Sequence, residues 1–191
     1  MYLYDDIVKV GCDVLRTKCE EVAIPLSDED KNTLKEMRTY LENGYDDKFV
    51  KSHNIRPGVG LAAPQVNVAK RMLCILAYNE KGELFDLSII NPKIISYSVD
   101  LTYLDTGEGC LSVEEEHKGY IHRYKKIKVK CYLYNHITDE CELTTLQFKG
   151  YLSIVFQHEY DHLNGILFFD HINQADPFFV PENSTPVVFK K

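Results

Sequence analysis

The stretch "GYLSIVFQHEYDHLNG" (150–165) decides how the rest of the chain is read. Leu152, Val155, Phe156 and Leu163 recur at helical spacing and Gly165 is a suitable terminator, so the pattern predicts a helix from about Gly150 to Asn164. Tyr151 and Ile154 are apolar as well, so this helix should be buried nearly all round. Histidines and a carboxylate in such a helix demand partners. His158 and His162 lie about one turn apart and project from the same face. Glu159 follows the first of them. This HExxH spacing suits imidazole ligands of one metal ion, with a carboxylate able to reach the ion's water. The plain structural alternative is a pair of hydrogen-bonded core histidines.

A catalytic metal site needs about three protein ligands and an open position. The next histidine is His171, and Phe168 stands where the pattern HExxHxxGxxH would need one. A distant ligand must therefore be sought. "TGEGCLSVEEE" (106–116) offers Cys110 in a glycine-containing turn, where backbone can come close to an ion. A lone cysteine is more often a small core residue. "RPGVGLAAPQV" (56–66) is the third unusual stretch. Its small residues let the backbone crowd against a ligand, and Gln65 can donate a hydrogen bond. It lacks the Lys-Ser/Thr of a phosphate loop and any GxGxxG, and a tight structural turn is the bland reading.

The 191 residues suit one domain with one sizeable core. A net charge of −7 argues against a chain whose main task is gripping nucleic acid. No apolar run approaches the roughly 18–20 residues of a membrane span, and "MYLYDDIVKV" reads as neither a secretory nor a transit segment. A cytoplasmic location is expected. The six cysteines are irregularly spaced without CxxC, so five are expected to be reduced packing residues, with Cys110 the exception.

"SDEDKNTLKEMRTYLENG" (27–44) reads as a helix with Ser27 as N-cap, Gly44 at its end, and Leu34, Met37 and Leu41 on one face. "RMLCILAYN" (71–79), "LSIINPKIISYSV" (87–99), "IKVKCYLYN" (127–135) and "ECELTTLQF" (140–148) read as strands, with Pro92 at an edge or bulge. The tail 176–191 contains three prolines and a short β-like "VVF". Strands gathered between an early and a late helix predict an α+β fold, with mixed or antiparallel sheets packed around the central HExxH-bearing helix and a short β-like C-terminal tail.

"GVGLAAPQ" (58–65), "EGCLS" (108–112) and "QHEYDH" (157–162), in this order, resemble the peptide deformylases. The likeness extends to "DVLRTKCEEV" near the start, "INPKI" (90–94) and "NGILFFDHI" (164–172). It thus covers most of the chain and implies a single domain over 1–191. The resemblance implies Cys110, His158 and His162 as ligands of one divalent metal. Fe(II) is the usual ion, and zinc, nickel or cobalt can occupy the site. It further implies Glu159 as general base and then acid, and Gln65 with the backbone N–H of Leu111 as oxyanion donors. Val59, Gly60, Leu111, Ile154 and Val155 match positions lining the pocket for a methionine side chain. Glu108 and Arg123 match positions near the substrate cleft. The implied reaction removes the formyl group from formylmethionyl peptides, the nascent chains of bacteria, near the ribosome. Monomer is the default expectation, with no membrane and no sequence-specific nucleic acid as partner.

The segments 43–58 and 114–120 and the strand-like tail resemble the form common in Gram-positive bacteria. There are departures. Cys12-Asp13 stands where the family often has a proline, which should alter only an N-terminal turn, and 113–124 is idiosyncratic. An HExxH endopeptidase, a catalytically dead member that recognises nascent N-termini, and a structural zinc protein are the competing readings. The intact Glu159, Gln65 and Cys110 argue against the second. A fourth ligand at His117 or His122 would be required for the third.

Overall fold

The structure, a computed structural model, describes residues 1–189. In chain order its elements are α1 (Asp28–Asn43), α2 (Asp47–His53), β1 (Gly60–Ala62), β2 (Met72–Tyr78), β3 (Leu84–Tyr97), β4 (Leu101–Tyr103), β5 (Arg123–Tyr124), β6 (Lys126–Asn135), β7 (Glu140–Lys149), α3 (Gly150–His162) and β8 (Ser184–Pro186). Strands β1-β2-β3-β6-β7 form an antiparallel sheet, and β5-β4-β8 form a small mixed one in which β4 and β8 run parallel. The fold is α+β, as the pattern of elements predicts.

Strand β2 explains its own continuous apolar run. Side chains alternate between the faces of a sheet. Met72, Cys74 and Leu76 pack with Leu34, Met37 and Leu41 of α1, whereas Leu73, Ile75 and Ala77 pack with Leu152, Val155 and Phe156 of α3. The strand is buried on both sides, so both sets must be apolar. Helix α3 packs against β1, β2, β6 and β7 of the large sheet and against β4 and β5 of the small one. That position leaves it buried nearly all round, as the pattern of its apolar residues requires.

Two features fix α3 in place. At Gly150 the chain turns from β7 into the helix with φ +54°, and the Tyr151 N–H donates to Glu80 Oε1 at 2.7 Å. The positive φ favours glycine at this joint, and an added Cβ would also displace the Glu80 carboxyl group. About two turns further, Gln157 Oε1 accepts from the Tyr124 N–H at 3.1 Å while its Nε2 donates to the Tyr124 carbonyl at 2.9 Å. This side chain clamps α3 to β5.

Ser27 caps α1, its Oγ accepting from the Asp30 N–H at 3.2 Å. Gly44 ends that helix in right-handed conformation, φ −64°, rather than as a left-handed cap. The reason is that Asp46 caps a second helix at once, accepting from the N–H groups of Lys48 and Phe49. That helix, α2, buries no residue, so no apolar stripe announces it in the sequence. Pro92 lies at an irregularity in the β3–β6 register between Ile90 and Lys93, in keeping with its missing donor. The tail strand is Ser184–Pro186 rather than "VVF", because it pairs with β4. Val187 adds one further bond, to the Tyr103 carbonyl at 2.9 Å.

Phe156 is fully buried and stacks on Phe148 with ring centroids 4.9 Å apart. Phe156→Ala should therefore destabilise the fold by about 3–5 kcal/mol, read from urea unfolding. A loss near zero would mean that α3 does not anchor the core.

Candidate metal centre

Three segments meet at the centre of the molecule. Helix α3 brings His158 and His162, and the turn after Gly109 brings Cys110. One donor atom from each lies within 4.8 Å of the others, and all three residues are buried. Cys110 Sγ is 3.3 Å from His162 Nε2. Their chemistry suits a divalent ion, since thiolate and imidazole are borderline-soft ligands. Burial pushes the Cys110 thiol up, yet His162 and His158 outweigh it and hold the thiol well below its ordinary range. The sulfur is thus disposed to be the thiolate that binds metals.

The carboxylate beside them is poised differently. Glu159 is buried, and its Oε2 has no hydrogen-bond partner. Burial pushes its carboxyl up to about 7, against the opposing pull of His158 and His162. Gly60 permits this placement, for an added Cβ there would lie 2.8 Å from Glu159 Cγ and Cδ. An unpaired buried carboxylate oxygen beside converging donors is what an absent cation would explain. The residues present fit a bound divalent ion.

Gln65 comes from the turn after β1. Its Oε1 accepts from the Ala62 N–H at 2.9 Å, which aims Nε2 at Cys110 Sγ (3.4 Å) and Ser112 Oγ (3.2 Å). The Val113 N–H donates to the Cys110 carbonyl at 3.2 Å. That bond fixes the plane of the peptide carrying the Leu111 N–H. A cavity of about 280 Å³ opens beside these groups, and Val59, Gly60, Leu111, Ile154 and Val155 all line it. Arg56, Leu104 and Tyr151 line it too. The sequence reading did not single these out, because nothing in local spacing marks a cleft wall assembled from distant loops.

Glu108 borders the cavity but is engaged beneath it. Its Oε2 accepts from His158 Nδ1 at 2.8 Å, which leaves Nε2 of that ring for an ion. Arg123 is expected near the cleft, and it lies behind Glu108, which lines the cavity. Its guanidinium is buried, donating to both oxygens of Glu108 (2.8 and 2.9 Å) and to Asp161 Oδ2 (2.5 Å). Asp161 also accepts from His171 Nε2 at 2.8 Å. The hydrogen-bonded chain His171–Asp161–Arg123–Glu108 therefore ends on His158.

His117 stacks on Phe169 with centroids 4.3 Å apart. His122 is held by Ser184 Oγ and the Phe179 carbonyl. The 113–124 segment packs Val113 and Ile121 against Phe168, Ile172 and Cys110, so it backs the metal-binding turn. Of the other cysteines, Cys19, Cys74 and Cys131 are buried, Cys141 is partly so and Cys12 is exposed. Cys12 is thus no packing residue, since the Asp13–Arg16 turn buries only Leu15.

A buried HExxH helix completed by a thiol, with an unpaired carboxylate facing the same cavity, defines a metallohydrolase site. Comparison with known proteins narrows this class. Residues 4–178 match the polypeptide deformylase family model. The chain is 46% identical over 187 residues to peptide deformylase 2 of Bacillus anthracis, spanning 98% of this chain and 99% of that one. It is 46% identical over 188 residues to a peptide deformylase of Macrococcus caseolyticus, spanning 98% and 100%. The actinonin-bound class I type b peptide deformylase from Acinetobacter baumannii matches with a TM-score of 0.67 at 30% identity, covering 88% of this chain and 97% of that one. Its Met-Ala-Ser-bound form matches at 0.68 and 29%, covering 87% and 96%. The chain belongs to the peptide deformylase family, a family of hydrolases.

Burial raises the Glu108 carboxyl, but Arg123 and His158 more than offset this and hold it at about 2. In an unfolded chain it would titrate near about 4.3. A depressed value stabilises the fold above the unfolded value, and that contribution is lost as pH falls. The stability difference between the native chain and Glu108→Gln should therefore be largest near neutrality. It should shrink as pH falls from about 4.3 towards 2. Urea unfolding at several pH values measures it, and a difference independent of pH would mean Glu108 is not an ionised partner.

Proposed function

We infer that the cleft hydrolyses the N-formyl group of formylmethionyl peptides and releases formate. The observation that carries this reading is the convergence of Cys110, His158, His162 and the unpaired Glu159 carboxylate on one small cavity. Cys110, His158 and His162 hold one divalent ion, Fe(II) in the cell, with zinc, nickel or cobalt as possible occupants. Such an ion supplies Lewis acidity and lowers the pKa of water from 15.7 towards neutrality. The thiolate and imidazoles suit Fe(II) and Zn(II) alike, and the family resemblance favours iron.

Glu159 takes the proton from the attacking water and returns it to the leaving amine nitrogen. Proton affinity near neutrality suits a group that must do both. The Gln65 amide and the Leu111 N–H donate to the formyl oxygen as it gains charge, and one such donor is commonly worth about 3–4 kcal/mol. Val59, Gly60, Leu111, Ile154 and Val155 receive the methionine side chain. A formyl carbon bears only hydrogen, so a tight cavity admits it and rejects larger acyl groups. Glu108 and Arg123 orient His158 rather than touch the peptide. We further propose that residues 1–191 act as one domain and as a monomer, in the cytoplasm, on nascent chains near the ribosome, where formylated N-termini arise.

Formate release from a short formyl-Met peptide, with protein prepared anaerobically with Fe(II), tests the reading. Release that a chelator abolishes is expected. Cleavage of internal peptide bonds without formate would replace the reading by an endopeptidase. Glu159→Gln should keep the metal and lose turnover by about a hundredfold or more. Because the metal-free Glu159 carboxyl titrates near 7, above its unfolded value, its ionisation opposes folding as pH rises from about 4.3 to 7. The metal-free Glu159→Gln variant should therefore match or exceed the native chain in melting temperature at pH 8. A clear drop there would remove the strain assigned to Glu159. Val59→Trp should weaken peptide turnover far more than metal content, and equal loss of both would remove the pocket assignment.

A further inference from the structure

Strand β6 alternates between two faces. Ile127, Val129 and Cys131 are buried towards α3, while Lys126, Lys128 and Lys130 between them are exposed on the other face. The register places Lys149 of β7 opposite Lys126 and Lys93 of β3 opposite Lys130. The remaining paired positions carry Gln147, Thr145 and Ser96. These five lysines share one sheet face, and none forms an ion pair among the described residues. Like charges directly opposite each other destabilise a ladder. The chain concentrates them here although its acids outnumber its bases, 29 to 22.

We propose that this face docks on the phosphodiester backbone of RNA. Alternate side chains along a strand recur about every 6.6–6.8 Å, close to the spacing of successive phosphates on a nucleic-acid strand. Lysine ammonium groups neutralise phosphates as point charges without reading bases. Between them lie Gln147, Thr145 and Ser96, which can hydrogen-bond phosphate oxygens. Leu143, the next position of β7 on this face, is exposed, but an anionic lipid surface would call for apolar side chains among the lysines as well. The docking is local, because screening confines charge effects to about 8–10 Å, so the acidic remainder of the surface does not cancel it. The face lies across the sheet from α3, so a partner there leaves the cleft open. The proposal does not rest on the reading of the cleft.

The test uses the metal-loaded full chain. A short labelled RNA hairpin is titrated by fluorescence anisotropy over a salt series, and phosphatidylglycerol vesicles are titrated in parallel. The RNA should bind, and binding should weaken steeply with salt. The triple variant Lys126→Gln/Lys128→Gln/Lys130→Gln should bind about tenfold or more weakly and lose about two to three units of salt slope. Its formate release from a short peptide should be unchanged. A control triple variant on other surfaces, Lys35→Gln/Lys48→Gln/Lys81→Gln, should bind like the native chain. Absence of RNA binding at low salt would overturn the proposal. So would equal weakening in the control, or capture of the face by vesicles and not by RNA.

Discussion

The Arg123 guanidinium is the constraint on which the centre of this molecule depends. It is buried between Glu108 and Asp161. Glu108 is two residues before Cys110, and Asp161 immediately precedes His162. Glu108 also accepts a hydrogen bond from His158 Nδ1. One side chain from β5 therefore ties the cysteine turn to both histidines of α3. Burying charges is costly unless geometry and hydrogen bonding are complete. Here the fork of Arg123 meets both Glu108 oxygens, the arrangement in which arginine is most effective. Removing either carboxylate would leave part of the buried guanidinium without its partner, so the network favours a single geometry for the donor set.

The sheet supplies the frame in which that network works. Because β2 is buried on both faces, α1 and α3 are held apart by a layer that cannot slide without exposing one apolar set. The Gly150 joint and the Gln157 clamp then fix the start and the middle of α3. The Glu159 carboxylate lies against the backbone of β1 only because residue 60 has no side chain. The pocket wall Val59–Gly60 and the general base are thus set against each other by one missing methyl group.

Local periodicity made the long elements legible. It showed α1, the four main strands and α3, and it showed that α3 carries an inward pair of histidines. The motifs at 58–65, 108–112 and 157–162 supplied the donor set through resemblance. What stayed hidden is what depends on pairing across the chain. Resemblance places Glu108 and Arg123 near the cleft, and only the fold reveals them as partners of each other. The tail strand appears one step before its apolar residues because β4 chooses its register. Helix α2 went unseen because it buries nothing, and its one local signal is the Asp46 cap.

Glu159 shows why the site tolerates an unsatisfied group. Its Oε2 is buried without a partner, and burial holds its proton affinity near neutrality. In an ordinary core this would be a defect to be removed by an apolar residue. Beside Cys110, His158 and His162 it becomes a coupling device. A cation held by those three residues stabilises the charged form of Glu159, and a charged Glu159 favours the cation in return. The unmet interaction is therefore one contribution to the free energy of binding an ion, and the thiol already driven towards its charged form is another. Among the described residues, the buried side-chain atoms without a partner are Glu159 Oε2 and His162 Nδ1, both at this site, where local rules of polar satisfaction give way to the needs of an ion.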